Sequence, residues 1–253
     1  MKQNKYDDNA FFEKYSNMDR SKNGLEGAGE WHQLKKLLPD FQGKRVLDLG
    51  CGFGWHCRYA VENGAKSVVG IDISQKMINE AREKTKYENI EYICMPIEDF
   101  DFPADSFDIV ISSLTFHYIQ SFESILCKVS KCLLNGGDFV FSVEHPIFTA
   151  QGPQDWYYDN SGNRLHWPVD QYFNEGVRKA IFLGEEVVKY HKTLTTYLNN
   201  LIKAGFQITG IVEPEPAEDL LNAIPEMTDE LRRPMMLLVS SRKPYINCTG
   251  NVG

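Results

Sequence analysis

Short apolar runs and helix-like segments alternate along the chain between Arg45 and Ser142. This alternation is typical of successive strand and helix units that build a parallel sheet. Each run is six or seven residues long and rich in valine, isoleucine or phenylalanine, so each predicts a buried strand. The predicted strands cover residues 45–50, 67–72, 90–95, 107–113 and 138–143.

Helices are predicted between these strands. One follows a glycine cluster at about residues 55–63, a second begins after Ser74 as its N-cap, and a third runs over 121–134 to a stop at residues 135–137, Asn-Gly-Gly. A later helix is closed by Gly205, and strands are predicted over 206–214 and 234–243. We therefore expect an α/β fold, a doubly wound and mostly parallel seven-stranded sheet with helices on both faces.

The periodicity breaks between residues 145 and 190, where aromatic residues and turn formers dominate. Within this stretch, residues 177–190 read VRKAIFLGEEVVKY and predict a hairpin. We interpret 145–190 as an insertion after strand five of a domain spanning 43–243. A segment at 1–42 precedes that domain, and a polar tail at 244–253 follows it.

Composition narrows the range of partners. The 253 residues are 42% hydrophobic and 25% charged, and the net charge of −8 is spread along the chain without a basic cluster, so we expect no nucleic acid partner. The six cysteines show no C-x-x-C spacing, and we expect reduced thiols and no metal site. Since neither a signal core nor a run of ~18 apolar residues occurs, we expect a cytoplasmic protein without a membrane partner, monomeric or homodimeric.

The most informative stretch is VLDLGCGFGWHCRYA, in which the first strand runs into Gly50, Gly52 and Gly54 and then into a helix. Glycines at alternate positions let the backbone approach a ligand in conformations that a Cβ would forbid. Asp48 precedes the cluster, and Asp72 ends the second strand, where a carboxylate can accept hydrogen bonds from both hydroxyls of a ribose. A dinucleotide site of the G-x-G-x-x-G type is disfavoured because Trp55 occupies the sixth place, where helix packing requires a small residue.

This first motif resembles that of the class I, Rossmann-like S-adenosylmethionine-dependent methyltransferases. The resemblance covers residues 43–143 closely and residues 193–243 in layout. Within the family, residues 97–118, IEDFDFPADSFDIVISSLTFHY, are similar to the small-molecule group that includes quinone and menaquinone methyltransferases. The resemblance implies S-adenosylmethionine as the cofactor and a small-molecule methyl acceptor. It also implies that the segment 1–42 covers the cofactor, where Tyr15, Arg20 and Trp31 are candidates for contact.

The family pattern implies a role for each matching residue around the cofactor. Gly50, Cys51, Gly52 and Gly54 would wrap the methionine and ribose, with Asp48 near the amino group. Asp72 would hold the ribose, and Ser113 would lie beneath the sulfonium. Ile73 and Met77 would flank the adenine, and Ile97 and Glu98 would meet its edge. Many relatives have an aspartate at the position of Pro96, so here the adenine amino group must be met by Glu98, Asp99, a backbone carbonyl or water.

Two histidines are candidates for removing a proton from the acceptor. His145 follows strand five and His117 follows strand four, and an imidazole with an ordinary pKa near 6.5 suits proton transfer near neutral pH. A packing role is the alternative for each. As candidate acceptor contacts within a substrate lid at 145–190 and beside it, we select Tyr157, Trp167, His191 and Tyr197, since small-molecule sites are concave and mostly apolar.

Two other functions compete with a methyltransferase. The first is a non-catalytic module that binds S-adenosylmethionine, and the second is a nicotinamide-dependent oxidoreductase on the same sheet. The residues after strand four, Ser112 to His117, lack the N/D-P-P-Y/F sequence of enzymes that methylate amino groups of nucleic-acid bases, so that substrate is disfavoured.

Overall fold

The computed structural model describes residues 4–223 and 225–245 of the chain. Within these ranges the strands are β1 (Arg45–Leu49), β2 (Ser67–Asp72), β3 (Ile90–Cys94), β4 (Phe107–Ser113), β5 (Leu133–Glu144), β6 (Tyr157–Tyr158), β7 (Arg164–His166), β8 (Gly176–Phe182), β9 (Glu185–His191), β10 (Gln207–Val212) and β11 (Met236–Arg242). The α-helices are α1 (Asn9–Ser16), α2 (Asp19–Lys22), α3 (Trp31–Leu37), α4 (Trp55–Glu62), α5 (Gln75–Lys84), α6 (Phe122–Cys132), α7 (Pro146–Thr149), α8 (Leu194–Lys203) and α9 (Glu218–Ala223). Short 3-10 turns span Lys5–Asp7, Gly24–Gly27, Phe116–Tyr118 and Pro225–Arg232.

One seven-stranded sheet organises the fold, in the order β10-β11-β5-β4-β1-β2-β3. The pairs among β1 to β5 are parallel, whereas β11 lies antiparallel between β5 and β10. The predicted seven-stranded, doubly wound sheet is confirmed, and Ser74 caps α5 by accepting a hydrogen bond from the backbone N–H of Met77. The chain places β2 and β3 on one side of β1 and then places β4 on the other side. In open α/β sheets a crevice forms at the carboxyl ends of the two strands where this change occurs, here β1 and β4, and ligands bind in it.

Alternation along the strands gives the sheet two apolar faces. On β4, Ile109 and Ile111 face the side of α4 and α5, while Val110 faces the side of α6 and α8, and all three are buried. A third cluster seats α3 on the sheet, where Trp31 and Leu34 pack against Val140 of β5 and Leu238 of β11. The strands that end at the crevice are therefore held rigidly from both sides.

One predicted boundary was wrong. The helix expected to end at residues 135–137 ends at Cys132, and β5 begins directly at Leu133. Gly136 and Gly137 instead lie in β5: Gly136 has a positive φ of 80°, and a Cβ on Gly137 would lie 2.8 Å from the carbonyl oxygen of Asp108 on β4. Gly137 thus allows a close approach of β5 to β4, Gly136 lies against the Tyr245 side chain, and neither glycine stops a helix.

The aromatic-rich insertion forms α7 and two hairpins, β6–β7 and β8–β9, and the second is the hairpin predicted over 177–190. Phe11 of α1 packs against Ala180 and Val187 of this hairpin, and Lys14 donates to the carbonyl of Leu183 at its turn. The first residues of the chain and the insertion therefore meet above the crevice. In the described ranges no helix combines the length and the apolar character that crossing a bilayer requires.

Candidate active site

The turn after β1 is shaped by three glycines with left-handed backbone, Gly50, Gly52 and Gly54, at φ angles of 76°, 51° and 72°. A Cβ on Gly50 would collide with Thr115, and one on Gly54 would collide with Tyr92, so these two glycines serve packing. A Cβ on Gly52 would meet no atom within 4 Å, because this position faces open space. Gly52 is therefore the glycine whose missing side chain leaves room for a ligand.

Asp72 ends β2 directly beside this turn. Its Oδ2 accepts a hydrogen bond of 3.0 Å from the backbone N–H of Gly52, and its Oδ1 accepts one of 2.8 Å from Ser74. Burial raises the pKa of the Asp72 carboxyl to about 6, although both backbone hydrogen bonds lower it. At neutral pH the side chain is therefore an ionised, oriented acceptor at the floor of the crevice.

A cavity of about 970 Å³ opens above these residues, near the upper end of the usual range for small-molecule sites. It runs along the carboxyl ends of β3, β2, β1 and β4. An extended adenosyl ligand needs contacts for its adenine, its ribose and its sulfonium in the same order. The predicted cofactor residues that line it are Gly50, Gly52, Asp72, Ile73, Met77, Ile97, Glu98 and Ser113. These residues fit the adenosyl group: an open glycine, an ionised acid for a ribose, and apolar side chains for a flat base.

Three of the residues predicted to contact the cofactor do not line this cavity. Asp48 is buried behind the turn, where its Oδ2 accepts a hydrogen bond from the Cys57 thiol, and burial raises its pKa to about 7. Cys51 packs in the core beside Cys57, and Gly54 lies against the Tyr92 side chain of β3. Oδ1 of Asp48 has no hydrogen-bond partner among the described residues, and the contact between Asp48 and the cofactor amino group stays a prediction.

The cavity continues past Ser113 into a chamber with aromatic walls, contributed by the N-terminal segment, the turn after β4 and the β8–β9 hairpin. Its walls include Tyr6, Phe11, Tyr118, Phe182 and Tyr190. Tyr6 and Tyr118 meet edge to face with their ring centroids 6.4 Å apart, and their hydroxyls lie 3.4 Å apart. We name these five residues the aromatic chamber.

Glu144, at the end of β5, is the carboxylate that faces this chamber. Its Oε1 lies 2.5 Å from the Lys189 ammonium, and its Oε2 accepts a 2.8 Å hydrogen bond from Gln154, which in turn accepts one from Lys189. Burial alone would raise the pKa of Glu144, but His117, the Lys189 ammonium and these hydrogen bonds hold it below its ordinary value. The carboxylate therefore stays ionised and fixed in orientation.

His117 lines the cavity beside Glu144 but is not poised to accept a proton. Its Nδ1 accepts the backbone N–H of Glu144 at 3.4 Å, which assigns the proton of the neutral ring to Nε2, 4.0 Å from the Glu144 carboxylate. Burial lowers the pKa of His117 to about 4. The ring is thus neutral near pH 7 with its acceptor nitrogen occupied, and the structure does not support the predicted role as a base.

His145 lies outside the cavity. Its Nδ1 caps α7 by accepting the N–H of Ile147, and its Nε2 lies 2.8 Å from the carboxylate of Glu213. Burial lowers the pKa of His145 despite this carboxylate. The prediction that His145 is catalytic is therefore not supported, because the imidazole serves as a helix cap away from the chamber.

The four predicted acceptor contacts also lie outside the main cavity. Tyr157 is exposed and stacks on His166, and Trp167 stacks on Phe148 beneath the Arg233 guanidinium. His191 bonds to Thr149 and to the carbonyl of Tyr172, and it borders a smaller cavity of about 330 Å³. Tyr197 is buried in the core against Phe122. These aromatic residues serve packing, and the chamber is built from others.

Charge in the main cavity is predominantly negative. Among the described residues, two cationic side chains line it, Lys5 and Arg20, against five carboxylates, Asp19, Glu30, Asp72, Glu98 and Glu144. Of these carboxylates, Glu30 is paired with Arg20 and Glu144 with Lys189. Tyr15, a candidate for contact with the cofactor, also lines the cavity, whereas Trp31 packs on Tyr59 and donates to Glu26. The described residues hold no group of three or more histidine, cysteine or acidic side chains that could bind a metal.

Comparison with known proteins identifies the family. A family model described as a methyltransferase domain matches residues 47–141. An S-adenosylmethionine-dependent methyltransferase from Mesorhizobium loti is 45% identical, covers 87% of this chain and all of its own, and superposes with a TM-score of 0.81. A Listeria monocytogenes protein assigned to the same enzymes is 58% identical over 85% of this chain and 98% of its own, with a TM-score of 0.80. An uncharacterised Haemophilus influenzae protein is 34% identical over 245 residues, 94% of this chain and 96% of its own. The chain belongs to the S-adenosylmethionine-dependent methyltransferases, and S-adenosylmethionine is its cofactor.

Proposed function

We propose that the enzyme methylates a small, largely apolar molecule without net negative charge, which Glu144 anchors through an O–H or N–H group. One observation carries the proposal: a single cavity joins the glycine turn and Asp72 to the aromatic chamber, and Glu144 is the carboxylate at that chamber. Aromatic walls favour a flat or apolar body, while an ionised acceptor favours a ligand that donates a hydrogen bond.

The bound cofactor supplies a methyl group on a sulfonium, which an acceptor atom takes by in-line displacement. The chain has to hold the acceptor in line and exclude water. In this proposal Glu144 orients the donor group of the acceptor, and Lys189 and Gln154 fix Glu144. Gly50 and Gly52 lie along the methionine and ribose, Asp72 binds the ribose hydroxyls, and Ser113 lies beneath the sulfonium. Ile73, Met77, Ile97 and Glu98 surround the adenine.

The first residues of the chain and the insertion have a shared role in this proposal. The described part of the segment 1–42 covers the cofactor end of the cavity and also contributes Tyr6 and Phe11 to the aromatic chamber. The insertion at 145–190 covers the acceptor end through its second hairpin. Contacts between Phe11 and the hairpin residues Ala180 and Val187 support this, because they join the two segments over the crevice. The predicted tail at 244–253 lies largely outside the described residues.

Anionic acceptors are a second candidate class. Curated relatives that align with about half of this chain include a fatty-acid O-methyltransferase and a tRNA U34 carboxymethyltransferase. The excess of carboxylates over cations in the cavity argues against a carboxylate or a phosphate backbone here, since each would be repelled. We therefore favour a neutral or cationic small molecule.

A metabolite screen tests the proposal. Purified enzyme is incubated with a metabolite extract and methyl-labelled S-adenosylmethionine, and labelled products are identified by mass spectrometry. We expect the label in neutral or cationic compounds with an O–H or N–H group. Label found mainly in carboxylic acids, phosphate esters or RNA would reject the proposed acceptor class.

A variant pair then tests the role of Glu144. Because Glu144→Gln alone would leave the buried Lys189 ammonium unpaired, the informative variant is Glu144→Gln with Lys189→Met. We expect turnover to fall at least about tenfold with unchanged affinity for S-adenosylhomocysteine. The matched control is Glu186→Gln. Glu186 is an exposed glutamate on β9, the strand that carries Lys189, and it pairs with Lys179. Equal turnover in both variants would remove Glu144 from acceptor binding.

A further inference from the structure

Two tyrosine hydroxyls in the aromatic chamber form one hydrogen bond with each other and have two protons between them. Tyr6, in the first 3-10 turn, donates to the hydroxyl of Tyr118, in the turn after β4, at 3.4 Å. Burial raises the pKa of both phenols, so both keep their protons near neutral pH. The proton of Tyr118 has no acceptor within the part of the chain that the structure describes, and Tyr118 lines the cavity. The pair therefore presents one O–H donor to a ligand in the chamber.

This donor lies beside the Glu144 carboxylate. The Lys189 ammonium relates the two groups in space, because it lies 2.5 Å from Oε1 of Glu144 and 6.0 Å from the centroid of the Tyr118 ring. His117, which directly precedes Tyr118, has its Nε2 4.0 Å from the same carboxylate oxygen. After burial, the charge of Glu144 is the next contributor to the raised pKa of Tyr118. The chamber thus combines a fixed hydrogen-bond acceptor with a neighbouring hydrogen-bond donor.

This combination of groups distinguishes between acceptor atoms. A hydroxyl oxygen can donate its proton to Glu144, accept a hydrogen bond from Tyr118 with one lone pair and attack the methyl group with the other. A neutral amine has a single lone pair, and a hydrogen bond from Tyr118 would occupy the pair that must attack. A protonated amine has no lone pair, and a thiol sulfur accepts hydrogen bonds only weakly. A carboxylate next to a phenol therefore favours oxygen over nitrogen and sulfur.

We propose that the methyl acceptor is an alcohol or a phenol, and that Tyr118 holds its hydroxyl oxygen while Glu144 takes its proton. The inference rests on the proposed function and restricts the O–H or N–H group of that proposal to a hydroxyl. As the acceptor oxygen forms its bond to the methyl carbon, the carbon–sulfur bond breaks and its electron pair stays on sulfur. The oxygen becomes strongly acidic as it gains the methyl group, so its proton passes to Glu144, although the pKa of that carboxyl is low, and then to water. The products are a methyl ether, a thioether and one proton.

The position of the label in the products of the metabolite screen is the first test. Each labelled product is fragmented in the mass spectrometer to locate the methyl group, and we expect it on a hydroxyl oxygen. Label mainly on nitrogen or sulfur would overturn this inference and leave the proposed class of neutral or cationic acceptors standing. Label mainly in carboxylic acids, phosphate esters or RNA would instead reject the proposed function itself.

Tyr118→Phe tests the contact, because it removes the hydroxyl and keeps the ring. The probe is the most strongly labelled hydroxyl compound of the screen. We expect its kcat/KM to fall about tenfold or more, with the affinity and stoichiometry of S-adenosylhomocysteine binding unchanged within about twofold. Tyr6→Phe should cost less than about threefold, because Tyr118 keeps its own proton. The matched control is Tyr87→Phe, since Tyr87 is an exposed tyrosine that donates to Glu62, and its kcat/KM should not change.

Two outcomes would overturn the role of the Tyr118 hydroxyl. The first is a kcat/KM in Tyr118→Phe equal to that of Tyr87→Phe. The second is a fall in kcat/KM that is matched by an equal loss of affinity for S-adenosylhomocysteine, which would show that the hydroxyl only maintains the structure of the site.

Discussion

Cofactor affinity should depend on pH through Asp72. Burial raises the pKa of this carboxyl to about 6, and both of its oxygens already accept backbone N–H groups, so its remaining lone pairs are directed at the cavity. Ribose hydroxyls donate better to the ionised form. As the pH falls through 6, the carboxyl takes up a proton that must be lost again for tight binding.

The magnitude follows from that pKa. If only the ionised form binds tightly, the dissociation constant for S-adenosylhomocysteine rises about tenfold between pH 7.5 and pH 5, or about 1.4 kcal/mol. Asp72→Asn should weaken binding at pH 7.5 by about 1–3 kcal/mol and remove the pH dependence.

Isothermal titration calorimetry at pH 5, 6, 7 and 7.5 measures both effects. The matched control is Asp101→Asn, an aspartate on an exposed loop that pairs with Lys131 and should leave the profile unchanged. A flat profile in the wild-type enzyme, or a slope that survives in Asp72→Asn, would refute the assignment of Asp72 to the ribose.

Three further predictions address residues placed outside the cavity. His145→Ala should leave turnover unchanged within about twofold and lower the free energy of unfolding by about 1 kcal/mol, because a helix cap is lost; a large fall in kcat would restore His145 to the chemistry. Tyr197→Ala should cost about 3–5 kcal/mol of stability in urea unfolding, whereas Tyr197→Phe should cost less than about 1.5 kcal/mol and leave acceptor KM unaltered; a raised KM in the phenylalanine variant would contradict the core position. For Asp48, the folded pKa of about 7 lies above the ordinary 3.8, so the folded state becomes less stable as pH rises towards 7. Asp48→Asn does not lose stability in this way, so its free energy of unfolding relative to wild type should increase by about 2–3 kcal/mol between pH 5 and 7.5. A difference that stays constant over this range would show that Asp48 titrates normally.

The sheet and the cofactor end of the site could be predicted from sequence because both depend on local patterns. Apolar runs define the strands, and the spacing of Gly50, Gly52 and Asp72 places them at the ends of neighbouring parallel strands. Side-chain direction within that turn was not predictable. The sequence places Asp48 only two residues before Gly50, yet alternation along β1 directs its side chain to the face of the sheet that packs on α4, where it meets Cys57.

The acceptor end depends on contacts between distant parts of the chain. Glu144 is held by Lys189, 45 residues away, and Tyr6 meets Tyr118 across 112 residues. No short-range pattern encodes these pairs. A histidine after a strand resembles a catalytic base whether it faces the cavity or caps a helix, as His145 does. Tyr197 illustrates the same ambiguity, because an aromatic residue on an amphipathic helix can face either the core or a ligand.

A crystal structure with S-adenosylhomocysteine tests the central claim most directly. We expect the ribose hydroxyls within hydrogen-bond distance of Asp72, the backbone of Gly52 along the ligand, and the sulfur at the boundary with the aromatic chamber, facing Glu144. Ligand density elsewhere on the protein, or no density at millimolar ligand, would contradict the proposed site.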